Sequence, residues 1–78
     1  QFRVKAQTEI ADFNRTFDSD FSDEDFDTVG GLVLDHLGRL PKRGEQFRVG
    51  NLGFKVLRAD SRRLHALMVE KLPPESAG

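Results

Sequence analysis

Residues 18 to 27, DSDFSDEDFD, hold six acids and two phenylalanines, and acids at this density are the first candidates for metal chemistry. Asp18 and Asp20 stand at the first and third places of an EF-hand-like loop, with Ser22 at the fifth. A calcium cage of that type needs glycine at the sixth place for a sharp turn and a bidentate glutamate at the twelfth to close around the ion. Those places hold Asp23 and Val29, so a complete cage is excluded. A looser divalent site for magnesium or calcium, built from Asp18, Asp20, Asp23 and Glu24, is the metal expectation that survives, beside the simpler reading of a solvated acidic loop.

Other constellations are thinner. His36 and His65 fall on different expected elements, and neither has a second histidine at i+4 to make a helical zinc pair, so both read as partly exposed packing residues. The chain has no cysteine, which excludes disulfides, thiolate metal sites and a Cys/His nucleophile. Ser19, Ser22, Ser61 and Ser76 lie in loops or near the end without a nucleophile-elbow sequence, and no carboxylate stands in a run apolar enough to raise its pKa toward a general acid. No enzyme activity is expected. Two basic pairs could hold an anion or a nucleotide phosphate: Lys42-Arg43 before Gly44, and Arg62-Arg63 beside Asp60 and Ser61. The simpler reading makes both pairs charged loop tips that keep sheet edges soluble. Gly30-Gly31 lies inside an expected helix, where each glycine costs roughly 1 kcal/mol relative to alanine. Close approach of the helix backbone to a neighbouring element is the favoured reason, since no GxGxxG or Walker spacing surrounds the pair to make a phosphate cradle.

The elements that carry these residues follow from periodicity. Phe2, Val4 and Ala6 alternate with Arg3 and Lys5, as in a half-buried strand. Thr8 is placed to cap a first helix whose apolar face is Ile10, Phe13 and Phe17. A second helix, capped by Asp27 or Thr28 and ended by Gly38, runs from about residue 28 to 37 with Val29, Leu32, Val33 and Leu37 on one face. Phe47 and Val49 then alternate with polar residues, and Gly50-Asn51-Leu52-Gly53 reads as the turn of a hairpin to a strand from Phe54 to Ala59. Asp60 to Arg63 reads as a second turn, into a last strand from Leu64 to Lys71. In that strand Leu64 and Leu67 cannot face the same side with regular alternation, which predicts a bulge near His65-Ala66 or burial on both faces. The expected order is strand, helix, helix and three strands, an α+β layer with two helices on one face of a mainly antiparallel sheet.

Seventy-eight residues, 37% hydrophobic and 32% charged, suffice for one small domain, expected over residues 1–72 with a tail at 73–78. No apolar run approaches the roughly 20 residues needed to span a bilayer, so insertion into a membrane is not expected. The opening Gln1, followed at once by strand-like residues, suggests a piece of a longer polypeptide. The net charge of -1 hides an asymmetry: nine acids against three bases up to residue 37, and four acids against nine bases beyond it. Opposed halves favour packing on each other or on a charged neighbour, and no basic stripe with interleaved aromatics points to nucleic acid.

The stretch Asp27-Thr28-Val29-Gly30-Gly31-Leu32-Val33, then Leu37-Gly38-Arg39-Leu40-Pro41-Lys42-Arg43-Gly44-Glu45, resembles the transporter-associated CorC/HlyC domain, as does Phe54-Lys55-Val56-Leu57-Arg58-Ala59-Asp60-Ser61-Arg62-Arg63-Leu64. The resemblance implies a cytoplasmic domain at the C-terminal end of a membrane protein, after a transmembrane region and two CBS domains, in magnesium and cobalt efflux proteins or hemolysin-like proteins. It also implies a fold similar to the second subdomain of p-cresol methylhydroxylase-type FAD-binding proteins, so that FAD enters by fold analogy alone. The expected partners are those CBS and transmembrane domains, and a second copy in a homodimer.

Overall fold

The computed structural model describes residues 1–72; the expected tail, 73–78, lies outside the described residues. The order is β1 (Phe2–Lys5), α1 (Ile10–Phe17), α2 (Val29–Leu37), β2 (Gln46–Val49), β3 (Leu52–Ala59) and β4 (Leu64–Lys71). The four strands form one antiparallel sheet in the order β1-β4-β3-β2, so the first strand pairs with the last. This is the expected α+β architecture.

The apolar periodicities become a single core between the helices and one sheet face. Ile10, Phe13 and Phe17 of α1 and Val29, Leu32 and Val33 of α2 are buried with Val4, Leu52, Phe54, Val56, Leu67 and Val69. Phe54 links the layers, with its ring 6.1 Å from Phe13 and 5.4 Å from Phe47. No polar or charged residue is buried among the described residues, as a core this small requires.

Both helices are bounded by local chemistry, with one departure from expectation. Thr28 caps α2 by accepting the Gly31 amide on Oγ1 at 3.2 Å, and Gly38 ends the helix in the left-handed region. Thr8 does not cap α1. Glu9 holds the N-cap place with no side-chain bond, because Thr8 is drawn into a turn whose amide donates to the Lys5 carbonyl, and its own carbonyl accepts from Val29.

The β2–β3 turn is tighter than the four residues expected. Val49 pairs directly with Leu52 across Gly50-Asn51, and Gly50 supplies the positive φ of 61° that such a short connection needs. Gly53 therefore lies within β3. The expected irregularity near His65-Ala66 is present: Val56 pairs with Leu67, Arg58 with Ala66 and Ala59 with Leu64. That register leaves Leu57 and His65 as extra residues and lets Leu64 and Leu67 both reach the core.

The other sheet face is not covered by either helix. Paired positions place Arg3, Met68, Lys55 and Gln46 side by side across it, with Lys5, Ala66 and Arg58 in the next row and Glu70, Gly53 and Arg48 on the other side.

Candidate functional site

The β3–β4 connection is the most organised polar feature of the surface. Asp60 opens it, and its Oδ1 accepts the amides of Arg62 at 2.7 Å and Arg63 at 2.8 Å, while its own amide donates to the Arg63 carbonyl. An aspartate at the first place of a turn does this because its short side chain reaches backbone donors two and three residues on. The second oxygen, Oδ2, lies 2.7 Å from His65 Nε2. The bond with His65, joined by the two amides, lowers the Asp60 pKa from 3.8 to about 2. With Asp60 satisfied in this way, Arg62 and Arg63 are exposed at the tip. They line a hollow with Thr28, Gly30, Gly31 and His65, beside the first turn of α2.

Lys42 and Arg43 are exposed in a different loop. Its frame is Glu45, which accepts both guanidinium nitrogens of Arg39 and, at 3.3 Å, the Lys42 amide. Those bonds hold the Glu45 carboxyl below its ordinary pKa. Lys42 and Arg43 line a hollow with Leu40, Pro41, Ala59, Asp60 and Ser61. Each basic pair stays together, and the two pairs line two separate hollows on either side of the β3–β4 turn.

The two glycines also separate. The Gly30 amide donates to the Ala6 carbonyl at 2.7 Å, and a Cβ at Gly30 would stand 3.0 Å from that oxygen and 3.2 Å from Ala6 Cβ. At Gly31 a Cβ would meet only Thr28 Oγ1, at 3.7 Å. Close approach accounts for Gly30 and not for Gly31.

The acidic loop is built around Asn14. Its Nδ2 donates to the Phe21 carbonyl and its Oδ1 accepts from the Phe21 amide and the Ser19 hydroxyl, while Phe21 and Phe26 pack against the core. This arrangement turns Asp18 and Asp20 toward Gly50, Asn51 and Lys71, and puts Asp23 in another hollow with Gln7, Glu9 and Asp27. The expected cluster of Asp18, Asp20, Asp23 and Glu24 is therefore not assembled. All four are exposed, and no three histidine, aspartate or glutamate side chains converge among the described residues. The physical reason is that phenylalanine anchors and the Asn14 bonds set the path of the loop, and like charges on it spread apart.

A flavin site fits no better. The cations available for its phosphates face two hollows, and no buried side-chain polar atom lacks a partner among the described residues, so nothing is held ready for a ring system. The fold analogy with the FAD-binding subdomain supplies no cradle here.

Residues 1–73 match the CorC_HlyC family, described as a transporter-associated domain. The chain belongs to this family. It is 52% identical over 68 residues to the magnesium and cobalt efflux protein CorC of Pasteurella multocida, covering 87% of this chain, and 57% identical over 68 residues to that of Vibrio cholerae. It spans 23% of the length of each of these relatives. Among solved structures, the Mg2+ and Co2+ transporter (CorC) associated region of Neisseria meningitidis MC58 superposes with a TM-score of 0.86 at 51% identity, over 90% of this chain and 86% of that one. A CorC_HlyC domain of a Xylella fastidiosa hemolysin, determined in complex with Mg2+ and Mn2+, shares the fold with a TM-score of 0.79 at 19% identity, over 92% of this chain and 87% of that one.

The CorC_HlyC motif residues Asp60, Arg62 and Arg63 prove to be the turn itself, whereas the Asp60–His65 pair was missed by sequence reasoning. Its signal was present: an aspartate at the first place of a four-residue turn, with a histidine just inside the returning strand. The grouping of cations on the open sheet face was missed as well, because it appears only when β1 pairs with β4.

Proposed function

We propose that this chain is a non-catalytic accessory domain of a magnesium and cobalt efflux protein, acting by contact with other parts of its parent or with a second copy. The single observation that carries this reading is the identity with proteins named for that efflux, of which the chain accounts for about a quarter. The parent, on this reading, is a membrane protein with CBS domains, and the chain sits on the cytoplasmic face. None of the described helices is long and apolar enough to cross a membrane, which suits a domain that attaches to a transporter and does not conduct the ion. The geometry supports contact over chemistry. Its best-placed polar side chains are spent on holding turns, as Asp60, Glu45 and Asn14 show.

A ligand-sensing role is the second reading, favoured by Arg62 and Arg63, exposed beside the start of α2, where an adenine nucleotide's phosphates would find two cations lining one hollow. Two measurements separate the readings. Deleting this segment from the whole protein should lower cobalt efflux from loaded cells without abolishing membrane insertion of the remainder. Adding ATP, FAD or millimolar magnesium to the separate domain should leave its melting temperature unchanged; a saturable rise with any of them, lost in Arg62→Ala/Arg63→Ala for ATP or FAD or in Asp18→Ala/Asp20→Ala for magnesium, would establish sensing instead.

A further inference from the structure

The face of the sheet turned away from the helices carries a charge pattern that neither the core nor the turns explain. Arg3 and Lys55 flank Met68 in one row, and Lys5 and Arg58 flank Ala66 in the next. These four cations make no ion pair among the described residues. Glu70 is the one acid among the paired positions of this face, and it already accepts from Gln1 at 3.3 Å. Arg3 and Lys5 are two residues apart on one face of β1, and each looks across β4 at another cation, a gathering of like charge that folding alone gives no reason for.

Beside the cations the surface is recessed, with apolar and polar residues both lining the hollow. Gly53 has no side chain, and Leu72 packs over that position, where a Cβ would lie 3.2 Å from Leu72 Cδ2. Met68, Leu72 and Gly53 share this hollow with Lys55 and Glu70. Met68 and Leu72 next to Lys55, with Arg3, Lys5 and Arg58 farther along the same face, fit a protruding apolar side chain flanked by carboxylates.

We infer that this open sheet face is the docking surface for an acidic protein segment, one that presents an apolar residue between aspartates or glutamates. The inference rests on the accessory reading and names where contact is made. Charge complementarity selects the occupant. A second copy stacked by the same face would set cations against cations, and the flat headgroup layer of a membrane could not enter the recess. The chain's own acidic loop is tied at the β2–β3 end of the sheet by Asn14 and Phe21, with Asp18 and Asp20 facing Gly50 and Asn51.

The test is amide chemical-shift mapping by NMR on the 78-residue chain with three probes. These are a synthetic peptide with one leucine between pairs of glutamates, its glutamine counterpart, and vesicles of phosphatidylglycerol and phosphatidylcholine. The expected result is saturable shifts at Arg3, Lys55, Arg58 and Met68 with the glutamate peptide only, weakening as salt rises. Lys55→Glu/Arg58→Glu should weaken binding by about tenfold or more, and Lys55→Gln by less, both with the spectrum of the helices unchanged. Shifts confined to the helical side, equal binding of the glutamine peptide, binding of vesicles alone, or dimerisation through this face would overturn the inference. Efflux by the deleted parent is read separately, so failure of the docking face and failure of the accessory role cannot be confused.

Discussion

Two residues show how much function-like chemistry is consumed by structure. Asp60 satisfies two amides and a histidine from an exposed position, and its pKa falls from 3.8 to about 2. A carboxyl whose folded pKa is depressed adds stability that is present above the unfolded value and is lost as pH falls through the folded one. Asp60→Asn should therefore lower the melting temperature at neutral pH, and the gap to wild type should close between about pH 4 and pH 2; a gap independent of pH in thermal melts would contradict the assignment. Gly30 and Gly31 make the complementary case. A methyl at Gly30 meets the Ala6 backbone oxygen at 3.0 Å, so Gly30→Ala should cost about 1–3 kcal/mol in urea unfolding. A methyl at Gly31 meets nothing tight, and Gly31→Ala should be neutral or stabilise by up to about 1 kcal/mol. Equal effects at the two positions would refute the packing account.

At the scale of elements, what the sequence made legible was what neighbours in the chain decide. The Thr28 cap, the Gly38 stop and the Asp60–Arg63 turn are each set within a few residues, and each stands where the residue types place it. The bulge was legible as a contradiction, since Leu64 and Leu67 both demand the core and regular alternation denies it. The failures have distant causes. Thr8 has good capping chemistry, but its carbonyl is claimed by Val29 after α2 docks. Gly53 looks like a turn residue, yet it lies in β3 where Leu72 comes close. The acidic run looked like one site, and only the bonds of Asn14 with Phe21 reveal that Asp23 is carried away from Asp18 and Asp20.

For the whole molecule, the opposed charges of the two halves acquire a spatial meaning. The acids are concentrated on the loop joining the helices, and β1 adds Arg3 and Lys5 to the cations of β3 on the open face, a grouping across chain ends that no local pattern predicts. A small domain with a fully apolar core, turns that absorb its best polar groups and one cationic face is equipped to be held by a partner. The measurement that bears most directly on this claim is calorimetric titration of the separate domain into the efflux protein truncated just before it. Saturable binding that weakens with salt and restores cobalt efflux is the predicted result. Absence of binding, with efflux by the truncated protein equal to that of the intact one, would contradict it.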